Sequence, residues 1–220
     1  MDRIELAKVA PQETTIVRIK DRGQIQEIDY SAAISKHVGS LWWGTAVGYR
    51  AMQVAADALS VDGLWSRDDL YVVAAHPGPG VRDAIDYVTQ VVGRDRYKLI
   101  SAGECAGKCN STMKFEWWVS DGNRTAFIQL REDFVPLDFY HLSDRLGTPA
   151  ESDDDRRMFE VFKVTLSTRI WAAPLSRNFH VRVEEKPLAV GELPQEAASL
   201  DYWNDLKTRR DDAGIGLGSN

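Results

Sequence analysis

Leu70-Tyr-Val-Val-Ala-Ala-His76-Pro-Gly-Pro-Gly80 is an apolar run that stops in a Pro/Gly turn. Unbroken apolar character over residues 70–75, rich in β-branched valine, predicts a strand buried on both faces. The turn at 76–80 cannot continue that strand, because proline removes backbone donors and glycine weakens extended structure. Residues 81–92 follow, with Ala84, Ile85, Val88 and Val92 at helical spacing. A strand that feeds a helix through such a turn belongs to proteins mixing sheet and helix, and ligands gather at strand ends of this kind.

The segments on either side extend the pattern. Residues 14–20 (TTIVRIK) predict a strand, and Gly23 turns the chain into a second strand at 25–28. Ser31 is an expected N-cap for a short helix through His37. Residues 43–59 predict a long helix with Val47, Ala51, Val54, Ala55 and Ala58 on one buried face. Residues 99–110 predict a loop. Strands are expected at 113–119 and 125–130, joined by Asp121-Gly122-Asn123, with Pro136 closing that unit. Trp117 and Trp118 are adjacent on a strand and must point to opposite faces. An acidic first turn suits a helix over 153–166, and alternation at 179–184 predicts a half-buried strand. The expected fold is α+β, a mixed sheet flanked by helices. It divides into a domain over 1–186 and an extended C-terminal arm over 187–220, with Leu200, Tyr202 and Trp203 covering a partner surface.

Composition narrows the function. Among 220 residues the formal net charge is −6, with no basic stripe, which argues against nucleic acid as a partner. No apolar run reaches the length of a membrane span. Residues 1–30 contain no signal-type apolar stretch, so the expected location is cytoplasmic. Two cysteines, Cys105 and Cys109, are too few for a disulfide framework.

Three segments carry a family resemblance. Gly39-Ser-Leu-Trp-Trp-Gly-Thr-Ala-Val-Gly-Tyr-Arg50 is similar to a HGHxCPGxxxGxR signature, with Gly39, Gly44, Gly48 and Arg50 matching. Gly80-Val-Arg-Asp-Ala-Ile85 resembles a CxxDAI helix start. Gly103-Glu-Cys-Ala-Gly-Lys-Cys-Asn110 resembles a GCTxGKGN loop, with Gly103, Gly107, Lys108 and Asn110 in register. In this order and spacing the chain resembles the FmdE family of formylmethanofuran dehydrogenase subunits over residues 30–185. The resemblance implies an α+β core, a tight homodimer and a cleft able to hold a metal. It also marks departures. Ser40, Trp42 and Trp43 replace the histidine, cysteine and proline of the first motif, Gly80 replaces the cysteine of the second, and Glu104 that of the third. The C-terminal zinc ribbon found in some members needs four cysteines, and none follows Cys109.

Two kinds of site remain open on these residues. A relocated metal centre would draw on Cys105, Cys109 and Glu104, with His37 and His76 nearby. Thiolate and imidazole donors favour zinc or a similar transition metal. Alternatively, Trp42 and Trp43 stack a planar organic cofactor, and His76 or His37 serves as axial ligand or proton donor. Each has a plain structural counterpart: buried cysteines that act as small hydrophobes, and tryptophans packed in the core. Lys108 and Asn110, in a glycine-bearing loop, would anchor an anionic group. Arg50 either pairs internally with Asp83 or binds an anionic substrate. His37 and Lys108 are the expected catalytic residues, with Trp42, Trp43, Arg50, His76 and Asn110 expected to hold a cofactor. The leading expectation is a small-molecule- or cofactor-binding protein, with an enzyme among the readings, built on residues 37–50, 76–83 and 103–110. The alternatives are a zinc-type metal-binding protein in one-carbon or formyl metabolism, and a structural subunit that has lost the family site.

Overall fold

The computed structural model describes residues 15–36, 43–61, 64–100, 109–199 and 202. The fold is α+β, with mixed sheets flanked by helices. Strands β1 (Ile16–Asp21) and β2 (Gln24–Asp29) form an antiparallel hairpin in which Asp21 faces Gln24. Its two turn residues, Arg22 and Gly23, have φ of 48° and 82°. Two successive left-handed residues give the turn whose twist matches a hairpin. A short strand β3 (Trp65–Ser66) runs parallel to β1 and completes a three-stranded sheet. Helix α1 (Tyr30–Lys36) follows β2 directly. Its cap is Asp29 rather than Ser31: the Asp29 carboxylate accepts from the Ser31 N–H at 2.7 Å. Aspartate is as good a cap as serine, and strand β2 ends one residue before the helix.

Helix α2 (Trp43–Leu59) has the bounds its periodicity predicts. Fourteen of its seventeen residues are buried, however, so it is a central helix rather than a one-faced surface helix. Strand β4 (Tyr71–Ala74) is buried throughout. Helix α3 (Pro79–Thr89) begins two residues before its expected start, because proline suits a first helical position. It ends at Gln90, left-handed with φ of 58°. Gly48 lets α2 and α3 touch: a Cβ there would lie 2.8 Å from the Val81 carbonyl oxygen and 2.9 Å from Val81 Cα. Gly44 and Gly80 sit in the same crossing, where added Cβ atoms would meet Val81 N at 3.2 Å and Thr45 N at 3.1 Å.

The main sheet has the order β5-β4-β6-β7-β8. Strand β5 (Tyr97–Leu99), absent from the sequence expectation, is too short to show a period; it runs parallel to β4. Strands β6 (Glu116–Ser120), β7 (Thr125–Leu130) and β8 (Phe179–Glu184) are antiparallel to their neighbours. The β6–β7 turn is held by Asp121 Oδ1, which accepts from the Asn123 and Arg124 N–H groups at 2.9 and 2.7 Å. Pro136 does not end a unit. It caps helix α4 (Leu137–Arg145), whose polar sequence hides a buried face of Phe139, Tyr140 and Leu142. Helix α5 (Asp153–Trp171) opens on a Ser152/Asp155 capping box and runs five residues past its expected end, burying Ile170 and Trp171. A four-residue helix, α6 (Leu175–Asn178), leads into β8.

The two faces of the main sheet differ. Trp117 and Val119 of β6, with Ala126, Ile128 and Leu130 of β7, face the principal core around α2. Trp118 faces the other way, into a smaller cluster with Tyr71, Val73, Ile100 and Ala197, against which Leu188 and Tyr202 pack. The described residues after β8 therefore pack on this protein's own sheet. Ser120 Oγ accepts from the Leu188 N–H at 3.1 Å, Tyr71 donates to the Glu192 carbonyl at 2.9 Å, and Trp118 Nε1 donates to Glu196 at 3.0 Å. Leu200 and Trp203 lie outside the described residues. Strand β8 corrects the half-buried expectation. It is the sheet edge, and Val181 and Val183 are 45% and 37% exposed.

Candidate functional site

His37, Trp42, Glu104, Cys105 and Lys108 lie outside the described residues. The structure gathers His76 and Cys109 at the Gly78 turn and brings Trp43 to the same aromatic group. A Cβ on Gly78 would fall 2.7 Å from His76 Cε1 and 3.4 Å from Cys109 Sγ, so only glycine fits between them. The His76 ring packs on Phe115 with centroids 4.4 Å apart. Full burial holds its pKa down to about 3, so the ring is neutral. The Gly78 N–H donates to His76 Nδ1 at 3.0 Å. A backbone N–H can only donate, so Nδ1 is the acceptor and the proton sits on Nε2. In this tautomer Nε2 has no lone pair for a metal, which fits a hydrogen-bond donor better than an axial ligand. Burial likewise pushes the Cys109 thiol up to about 11, leaving it protonated near neutral pH. Among the described residues no group of three or more His, Cys, Asp or Glu side chains is placed to hold a metal ion.

Trp43, Asn110 and Arg50 make contacts within the fold. Trp43 is 2% exposed, stacked on Phe134 at 5.7 Å and tilted against Phe115. One indole face is therefore already covered. Its Nε1 has no hydrogen-bond partner among the described residues. Asn110 Oδ1 accepts from the Thr112 N–H and hydroxyl at 2.8 and 2.7 Å, a side-chain turn that stabilises the approach to β6. Arg50 is buried, donating to Gln53 Oε1 and the Ala173 carbonyl at 3.1 Å each, with its guanidinium 4.6 Å over the Trp171 ring. It and Asp83 line separate hollows.

A different group of residues lines a cleft. A hollow of 870 Å³, at the start of β6 and the end of β7, lies between Tyr202 and the chain over 131–140. Phe115, Phe127 and Tyr140 contribute aromatic surface; Lys114, Glu116, Gln129 and Tyr202 contribute polar atoms. Strand parity explains the arrangement. Lys114, Glu116 and Trp118 alternate with the core residues Phe115 and Trp117, and Gln129 is paired opposite Glu116.

Lys114 and Glu116 are only 5% and 6% exposed. Charged residues are almost never this buried unless paired. The Lys114 ammonium lies 3.2 Å over the Tyr202 ring, a cation–π contact. The Tyr202 hydroxyl donates to Glu116 Oε2, and Gln129 Nε2 donates to Glu116 Oε1 at 3.0 Å. Burial nevertheless raises the Glu116 pKa above the ordinary glutamate value, against the lowering effects of Tyr202, Lys114 and Gln129. Burial, then the Glu116 charge, raises the Tyr202 phenol far out of the titrating range. The result is a buried carboxyl whose pKa is raised, a lysine that meets it through Tyr202, and a phenol that stays protonated.

Sequence reasoning missed this group because Lys114 and Glu116 look like the exposed half of an alternating strand. The available signal was contextual: both precede adjacent tryptophans, so their face also carries a residue that must be covered. Tyr202 lies more than 80 positions away, beyond any local pattern. Compared with protein-family models and with curated proteins, the chain matches none.

Proposed function

We propose that this protein binds a small organic molecule in the hollow between β6, β7 and Tyr202, and that Glu116 exchanges a proton with it. One observation carries the reading: a lysine, a carboxyl and a phenol meet in the lining of a hollow of ligand size. Pockets that bind small molecules combine apolar walls with a few converging polar groups, and groups with displaced pKa values concentrate at such sites. Phe115, Phe127 and Tyr140 form the walls, and Lys114, Glu116 and Gln129 are the converging groups.

The test is a saturation-transfer NMR screen of small aldehydes, ketones and carboxylic acids on three proteins. These are the unmodified chain, Lys114→Met, and the double variant Trp42→Ala/Lys108→Ala. Binding lost in Lys114→Met but kept in the double variant supports the hollow. The opposite result moves the ligand to the motif segments 37–50, 76–83 and 103–110, the placement the family resemblance implies. Absence of binding in all three sinks both. One observation favours a structural subunit as the second reading. Gly44 and Gly48, two of the matching positions of the first motif, serve the α2–α3 crossing together with Gly80, so their presence requires no ligand.

A further inference from the structure

Lys114 combines three properties rarely found together. Its side chain is almost fully enclosed, it lines a hollow, and it lies beside a carboxyl that is itself enclosed. An amine taken out of water loses part of the hydration that favours its ammonium form. A neutral amine is a nucleophile toward carbonyl carbon, and lysines use it to form imines. The reaction needs a group that moves protons between nitrogen and oxygen, because each stage removes a proton from one and adds it to the other. Glu116 and Lys114 meet through Tyr202, its hydroxyl on the carboxylate and its ring against the Lys114 nitrogen, and burial raises the Glu116 pKa above that of an exposed glutamate. Tyr202 orients that carboxyl by donating to Oε2 while its ring covers the Lys114 nitrogen.

We propose that Lys114 is an imine-forming lysine, whose ε-amine condenses with the carbonyl carbon of a small aldehyde or ketone held in the hollow, with Glu116 as the proton shuttle. This rests on the binding proposal above. The Nζ lone pair forms the new C–N bond as the carbonyl π pair moves to oxygen. Glu116 gives a proton to that oxygen and recovers one from nitrogen, leaving a carbinolamine. A second transfer of the same kind expels water: the C–O bond breaks, the nitrogen lone pair forms C=N, and Glu116 recovers the remaining amine proton. One carbonyl compound and one amine become one imine and one water, with no oxidant or reductant. The substrate class is therefore a small aldehyde or ketone.

Glyoxylate with sodium cyanoborohydride tests the step, because reduction fixes the imine as a carboxymethyl group on lysine. Intact mass and peptide mapping should find one such group per chain, on Lys114, ahead of the other lysines. Lys114→Arg keeps a cation over the Tyr202 ring but cannot form an imine. It should lose the early label while its thermal melt stays close to that of the unmodified chain. Glu116→Gln should slow labelling by at least about tenfold, within the range of a lost proton-transfer group, while Lys114 remains the labelled site. Label spread over many lysines, with Lys114 unfavoured, overturns the proposal. Glyoxylate binding measured without reductant separates the two ideas: binding with Lys114 unlabelled overturns the imine alone, and no binding with no label overturns both.

Discussion

The two faces of strand β6 lie one residue apart and follow different rules. Trp117 and Val119 enter a core of aliphatic and aromatic side chains under α2, where density and shape decide stability. Lys114, Glu116 and Trp118 face a cleft closed by residues far along the chain, where hydrogen bonds and charge decide it. The first face is covered by α2, whose apolar pattern is strong. The second is completed only when the segment after β8 folds back. Stability should thus be concentrated on one face and adjustable chemistry on the other.

The sharpest way to break this comparison is to truncate each tryptophan. Trp117→Ala leaves a cavity in a fully enclosed site and should cost about 3–5 kcal/mol in urea-unfolding free energy. Trp118→Ala should cost less, because the covering segment can detach without unfolding the core. Hydrogen exchange should then show residues 188–199 losing protection before the strands do. Equal losses and a single unfolding transition in both variants would show that the faces form one cooperative unit. The α2–α3 crossing gives the next effect. Gly48→Ala places a methyl 2.8 Å from a backbone oxygen, and the resulting shift should cost about 1–3 kcal/mol.

Titration distinguishes the faces by sign. His76, on the core side, has a folded pKa near 3 against an ordinary value of 6.5. Below 6.5 the unfolded chain takes a proton that the folded chain refuses. His76 therefore makes stability fall with acidification over that window, by at most about 1.4 kcal/mol per pH unit. Glu116, on the cleft side, has a raised folded pKa, so the folded chain keeps a proton that the unfolded chain has released. Its effect makes stability fall as pH climbs from 4.5 through the raised value. Urea-unfolding free energies across pH should show His76→Gln flattening the acid limb and Glu116→Gln flattening the decline above 4.5. A Glu116→Gln difference curve of the opposite slope would mean that the hydrogen bonds and nearby charge that favour its ionised form outweigh its burial.

The same contrast explains what was legible in the sequence. Helix α2 and strands β4 and β7 were readable because local periodicity and burial agree there. Helix α4 was not, because its apolar residues are mixed with Asp138, His141 and Asp144, and its cap is proline. Strand β8 was readable as a strand but not as an edge, since alternation says nothing about whether another layer covers it. At the motif glycines a residue type was legible but its reason was not. A glycine that admits a neighbouring helix and one that admits a ligand look alike in sequence, and only the Val81 contacts tell them apart. The Lys114–Glu116–Tyr202 group was the least legible, because it depends on a long-range closure.

That closure supplies the smallest effect and the most specific one. Tyr202→Phe keeps the aromatic face over the Lys114 ammonium and removes only the hydroxyl that donates to Glu116. Losing one hydrogen bond to a buried carboxyl should cost about 1–3 kcal/mol, toward the lower end because water can enter the hollow and replace the donor. Removing a donor to the ionised form should also raise the Glu116 pKa further, since that hydrogen bond lowers it. A carboxyl NMR titration of Glu116 in the two proteins measures this shift directly. An upward shift with the fold retained would place Tyr202 in the electrostatics of the cleft as well as over its mouth. An unchanged titration would reduce Tyr202 to a cover, and the proton exchange proposed for Glu116 would then have to work without it.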